Sequence, residues 1–333
     1  MTLLRTIICS TIMLVLFAAA SSAEDIQKTA EGLLNGARQL GDIRSPNAPP
    51  FQMKLTFSFV GKDLETSEGT YSEVWISNSQ WRRETTVGNF RRIEVGGPTR
   101  RWLLDSGGDF PEEAAGVSSL LNVFPARTAK FQFESIASPD AETQCAVTKP
   151  WGDKRKRLAF CFDKASGFLV ENVTPQLVGA QRVVDFSCNY GQFKKFGVYA
   201  FPRTLTCFLD GHRKMEAKVV ELSTMTSPDA TLFSPPPASL ELGNCSLNPL
   251  PPQAVNTHYP LVPLGTSKNT SVTLWMIVNV KGEPQGVKVI RSAGKQFDDP
   301  AMNAVRAWHF KPATCNGEPM PAPISVEIRF GRY

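Results

Sequence analysis

SVTLWMIVNVKGEPQGVKVIRSAGKQFDDPAMNAVRAWHFKPATCNGEPMPAPISVEIRF, residues 271–330, is the stretch around which the chain is organised. Val272, Leu274, Met276, Val278 and Val280 are apolar at every second position, the period of a half-buried strand. Lys281-Gly282-Glu283-Pro284 breaks the run, and Val287 and Val289 resume it, so the two runs read as a hairpin. Asp299-Pro300 reads as a helix start, since Asp caps orphan N–H groups and Pro fits the first helical position. Ala301, Ala304, Val305 and Trp308 follow at helical spacing, and Lys311-Pro312 ends the run. Ile324, Val326, Ile328 and Phe330 alternate with Ser325, Glu327 and Arg329, which predicts a last strand. Trp275 and Ile277 lie on the hairpin face opposite Leu274 and Met276. That second apolar face needs a cover, either the preceding part of the chain or a second copy.

Strand, strand, helix, strand predicts a small α+β module. With the Gly282 turn, VIRSAG at 289–294, the Asp298–Phe310 helix with its Trp-x-Phe, Lys311-Pro312-Ala313, the final alternating strand and His258-Tyr259-Pro260 ahead of them, it resembles the TonB C-terminal domain family. In that family the last strand is an edge with which receptor segments pair. The resemblance therefore implies an envelope protein partner that adds a strand along Ile324, Ser325, Val326, Glu327, Ile328, Arg329 and Phe330. The outward Glu327 and Arg329 blunt aggregation at such an edge and leave its backbone available. A second copy of the strand would pair there equally, giving a homodimer.

At 333 residues the chain has room for about two domains. Arg5, the apolar run Ile7–Ala20 and Ser21-Ser22-Ala23 follow the order of a secretory signal, which places a cut after Ala23 and the protein in the periplasm. A retained segment would instead anchor it in the inner membrane. Of seven cysteines, Cys9 falls in the leader, and an even number remains in an exported chain, which reads as disulfides. Spacing alone allows many pairings. Strand order favours Cys145 with Cys161 across a hairpin tip at Trp151–Arg157, Cys188 with Cys207 on successive runs, and Cys245 with Cys315 as a staple on the small module. The net charge of +5 is spread over basic pairs and the run Lys154–Arg157, which read as solvated strand faces and a hairpin tip. Export sets nucleic acid aside as a partner.

Between leader and module, Asp25–Leu40 shows helical spacing, and Phe51, Met53, Leu55, Phe57 and Phe59 alternate with polar residues as a strand. Short alternating runs continue to Leu222 with one short helix near Pro111–Leu121, which predicts one large antiparallel sheet. Gly69-Thr70-Tyr71-Ser72-Glu73-Val74-Trp75, Trp81-Arg82-Arg83-Glu84, Gly167-Phe168-Leu169, Phe201-Pro202-Arg203 and Leu232-Phe233-Ser234-Pro235-Pro236 give this part a resemblance to the LolA-like outer-membrane lipoprotein carrier superfamily. That resemblance implies a half-barrel whose concave face, under helices, holds acyl chains of a lipid or lipoprotein. Leu55, Phe57, Phe59, Trp75, Trp81 and Trp102 would line such an apolar site. A filled core is the equal alternative.

The expected organisation is thus a leader at 1–23, an antiparallel-sheet domain at 24–233, a Pro-rich extended linker at 234–264 and the α+β module at 265–333. His212, His258 and His309 are the only histidines and none sits at metal-ligand spacing, with His309 expected to pack partly buried beside Trp308 on the helix. No nucleophile elbow, phosphate loop or His-Glu-x-x-His occurs, so no enzyme and no cofactor is expected. Three functional classes follow: an exported binding protein that acts in transport across the envelope, an energy-transducing TonB-type protein for outer-membrane receptors, and a structural or regulatory protein-binding module with a filled core.

Overall fold

A computed structural model describes residues 22–61, 65–107, 111, 117–150, 156–178, 182–245, 249–261 and 270–330. Nearly all of the leader, residues 112–116 of the expected short helix and residues 151–155 of the expected hairpin tip lie outside them.

Helix α1 (Ala23–Gly41) opens on a capping box in which the Ser22 hydroxyl accepts from the Asp25 N–H and the Asp25 carboxylate accepts from Ser22. Ala30, Leu34, Ala37 and Gly41 form its buried stripe. Strands β1 (Phe51–Val60), β2 (Thr66–Ser77), β3 (Gln80–Val87), β4 (Phe90–Gly96) and β5 (Arg100–Ser106) follow as a meander. Of the expected helix at Pro111–Leu121, only one turn, α2 (Val117–Leu120), lies in the described residues. Strands β6 (Phe133–Ala137), β7 (Thr143–Thr148), β8 (Ala159–Asp163), β9 (Leu169–Val178) and β10 (Arg182–Gly191) form a second meander. After the small ribbon of β11 (Lys194–Phe196) and β12 (Tyr199–Phe201), β13 (Thr204–Leu209) and β14 (His212–Thr224) join the two meanders, with β14 antiparallel to β1. Phe51, Met53, Leu55, Phe57 and Phe59 turn inward at every second position, all less than 5% exposed, which is the pleat made visible.

The segment expected as an extended linker is extended but paired. A 3-10 turn at Ala230–Phe233 reaches β3, where Arg82 donates to the Leu232 carbonyl. Strand β15 (Leu240–Gly243) then adds to β5 and becomes the edge of the large sheet. Among the described residues that sheet has 13 strands and stays open, with β15 and β6 at its ends. Strands β16 (Pro249–Leu250) and β17 (Gln253–Asn256) belong to the C-terminal module. The described Pro residues of this stretch do not prevent pairing, because each lies at a strand end or outside the strands.

In the module, β18 (Thr270–Val278) is central, with β19 (Pro284–Arg291) on one side. Helix α3 (Lys295–Arg306) follows, then the short strands β20 (His309–Lys311), β21 (Ala313–Cys315) and β22 (Glu318–Met320), and last β23 (Ala322–Phe330) on the other side of β18. Strand β20 pairs with β17, and β21 pairs with β16 and β22. Phe297, Ala301 and Val305 pack on Val272, Leu274, Met276 and Val278 as one core.

The expected helix boundaries change here. Helix α3 begins at Lys295 rather than Asp298, because Asp298 reaches backward to accept from the Ser292 hydroxyl and the Ala293 N–H. Pro300 consequently lies inside the helix, and Asp299 pairs with Lys295 instead of capping. The helix ends at Arg306, so Trp308 lies beyond it, buried, with its indole N–H donating to the His258 carbonyl at 3.0 Å. His309, expected to be partly buried on the helix, is exposed on β20. Gly282, at φ +84°, is required at the hairpin turn: a Cβ there would lie 1.9 Å from the Phe310 carbonyl oxygen.

All three disulfides form as expected. Cys145 and Cys161 face each other across β7 and β8, and Cys188 and Cys207 across β10 and β13. Cys245–Cys315 ties the stretch after β15 to β21, closing a separation of 70 residues.

Candidate functional site

Strand β23 pairs with β18 from Thr270↔Phe330 to Val278↔Ala322 without a register shift. Among the described residues no strand pairs with its other side. Ile328 and Phe330 are buried in the module core, and Ile324 and Val326 are half-buried against it. Ser325, Glu327 and Arg329 are exposed on the opposite face. The orientation of the backbone follows from Pro323, which has no N–H to give and lies opposite Ile277. Proline inside a sheet takes positions whose nitrogen points away from the ladder. With an unbroken register, Ser325, Glu327 and Arg329 share that orientation, so their N–H and C=O groups point away from β18. Hydrogen bonds from Arg329 and Ser271 hold the Glu327 carboxyl below the usual carboxylate range. The edge therefore carries a charged, ionised side-chain pair beside an outward-facing backbone.

The aromatic residues expected to line an apolar site divide between the two faces of the large sheet. Leu55, Phe57 and Phe59 on β1, Trp75 on β2 and Trp81 on β3 all point inward. Phe51 stacks on Trp75 at 5.4 Å, and Trp81 lies so close over Gly96 that a Cβ there would meet its ring at 2.1 Å. Trp102 is paired with Val95, which is paired with Arg82, and so stands on the other face. The inward side chains fill the space beneath α1 and α2. Two apolar voids there, beside Leu120 and beside Phe168, measure about 10 Å³ each. That is room for at most about one water, far from an acyl chain.

The inward face also holds an ionic cluster. Glu73, between Tyr71 and Trp75 on β2, is 1% exposed. Arg44, from the loop after α1, grips both its oxygens with Nε and Nη2 and donates Nη1 to the Leu121 carbonyl. Arg83, directly opposite on β3, donates Nε to Glu73 at 3.0 Å while its guanidinium lies 4.2 Å above the Trp81 ring. The Tyr71 hydroxyl adds a third donor. Burial pushes the Glu73 carboxyl up, but the two guanidinium charges and their hydrogen bonds outweigh it and lower the pKa to about 2. Burial and the Glu73 charge together push the Tyr71 hydroxyl up, so it stays protonated. A cavity of about 420 Å³ opens above the cluster, between residues 41–44, residues 121–127 and the β2–β3 turn. Sequence reading missed this cluster. The available signal was a carboxylate at an inward position between two aromatics, matched across the turn by an inward arginine.

The second apolar face of the module is covered by the large sheet. Ile277, fully buried, packs with Leu103 of β5 and Leu242 of β15, and Trp275 borders them. Asp105 of β5 accepts from Arg92 of β4 and from Lys288 of β19. Burial raises its pKa and these two cations outweigh that, so it is held below the usual carboxylate range. The Arg92 guanidinium also lies 5.8 Å from the Trp275 ring. Beside this interface the Gly243 N–H donates to the Pro321 carbonyl, and Cys245–Cys315 closes the same end.

No curated protein matches the chain. Among solved structures the chain is similar to a LolA superfamily protein from Nitrosomonas europaea, at 12% identity over 62% of this chain and 97% of that one, with a TM-score of 0.42. It is similar to a DUF1329 family protein from Desulfovibrio piger at 9% identity over 62% and 97%, with a TM-score of 0.41. It is similar to MucB in complex with MucA(peri) at 10% identity over 90% and 93%, with a TM-score of 0.27. Residues 255–331, from β17 through β23, match the family described as Gram-negative bacterial TonB protein C-terminal.

Proposed function

We propose that this is an exported, non-catalytic envelope protein that docks on a protein partner by accepting an extended segment along β23. The observation that carries the reading is the outer side of β23, with Ser325 and Glu327 turned outward in a module that matches the TonB C-terminal family. Main-chain hydrogen bonds along such an edge supply affinity, and alternate side chains supply selectivity. The large sheet serves as a rigid mount, since Ile277, Lys288 and the Cys245–Cys315 bridge fix the module against it. Rigid mounting favours docking over energy transduction, where the module must travel on a long tether. The packed state of Leu55, Phe57 and Phe59 beneath the helices favours protein recognition over storage of an acyl chain there.

Proline scanning tests the reading. Ser325→Pro or Glu327→Pro removes an outward donor and should abolish partner binding with little loss of stability. Val326→Pro, which removes a ladder donor, should destabilise the module. If Ser325→Pro and Glu327→Pro both retain full binding, strand addition is wrong.

A further inference from the structure

The cavity above Glu73 has the chemistry of a ligand site distinct from β23. We propose that it binds an anionic amphiphile, a carboxylate or phosphate head on a short apolar body, with Arg83 as the anion ligand.

Three observations converge. The first is size: about 420 Å³ falls within the range of small-molecule sites. The second is charge. Arg44, Arg83 and Arg127 line the space with Asp42, Arg38 stands beside Arg127 and Asp42, and Glu73 and Glu94 flank Arg83, so four cations face three carboxylates and leave one positive charge. The third is unused hydrogen-bonding capacity. Arg44 commits Nε and Nη2 to Glu73 and Nη1 to Leu121. Arg127 pairs with Asp42 at the rim. Arg83 commits only Nε, and among the described residues neither of its Nη atoms meets an acceptor, although the side chain is 17% exposed. A guanidinium fixed by Glu73 on one side and by the Trp81 ring below presents the remaining fork in one orientation, the arrangement suited to two parallel bonds with a carboxylate or phosphate.

The walls add the apolar half. Trp75, Trp81, Phe124 and Phe201 line the space beside the arginines. A head on Arg83 would place the first carbons of its chain along Phe124. Since the space beneath is filled, the body must be short or must leave through the mouth between Asn78 and Asn122, both exposed.

The test titrates the full exported chain with octyl phosphate, octyl glucoside and inorganic phosphate, each below any micelle-forming concentration, and reads heat and tryptophan fluorescence. Octyl phosphate should bind saturably, and each of the other two at least about tenfold more weakly, because each lacks one half of the recognition. Arg83→Lys, which keeps the charge on Glu73 but loses the fork, should weaken octyl phosphate by about tenfold. Asn122→Trp fills the mouth without touching the cluster and should weaken it at least as much, with the thermal transition unchanged. Equal binding of octyl phosphate and octyl glucoside overturns the anion assignment. Equal binding of octyl phosphate and inorganic phosphate overturns the amphiphile. Unaltered affinity in Asn122→Trp overturns the site.

Discussion

Replacing Glu73 by Gln keeps the shape of the inward face and removes a fully enclosed carboxylate. Arg44 and Arg83 then face each other across a neutral amide, and uncompensated buried charge of this kind costs about 3–5 kcal/mol. Proton linkage gives an independent figure. The fall from 4.5 to about 2 on folding corresponds to about 3 kcal/mol at neutral pH. The sign is that of a depressed carboxyl: the contribution is complete above the unfolded value near 4.5 and is lost as pH falls through about 2. Urea unfolding of wild type and Glu73→Gln should therefore differ by about 3 kcal/mol at pH 7, and by only about 1 kcal/mol at pH 3. A gap under about 1 kcal/mol at pH 7, or one that is the same at pH 3, would refute the argument that the two arginines hold Glu73 ionised.

Ile277→Asp should release the module from the large sheet, since a carboxylate would be buried against Leu103 and Leu242; calorimetry should resolve two transitions where wild type gives one. The double change Cys245→Ser with Cys315→Ser should lower the stability of the module by about 2–5 kcal/mol and leave the Cys145–Cys161 and Cys188–Cys207 bridges intact by non-reduced peptide mapping. Phe57→Asp should unfold the large sheet rather than merely weaken ligand binding, because Phe57 is 3% exposed, and circular dichroism checks this. N-terminal sequencing of the exported chain should begin at Glu24; that cut removes the Ser22 cap, worth about 0.5–2 kcal/mol, so hydrogen exchange should show the first turn of α1 frayed.

The strands were legible in the sequence because a pleated sheet with one buried face repeats every second residue. Phe51–Phe59 and Ile324–Phe330 show that repeat without interruption. The disulfides were legible for a related reason, as cysteines on successive strands come to face each other. What the sequence did not show depends on side chains meeting across long separations. Arg44 and Glu73 are joined by a loop crossing, and Asp105 and Lys288 by the docking of two domains; neither leaves a local period. The start of α3 was misplaced because Asp298 and Asp299 compete for the capping role, and the deciding partner, Ser292, lies upstream of the helix. Trp102 was grouped with the inward aromatics on residue type, but its position on β5 sets it on the other face.

The most direct test of the central proposal is amide hydrogen exchange, residue by residue, along β23. In the isolated protein the amides of Ser325 and Glu327 should exchange far faster than those of Ile324, Val326 and Ile328, which bond to β18. A peptide selected for binding to the folded protein should then slow exchange at Ser325 and Glu327 and leave the ladder amides unchanged. If those two amides are already protected in the isolated protein, or stay fast when the selected peptide is bound, β23 is not where a partner strand is added.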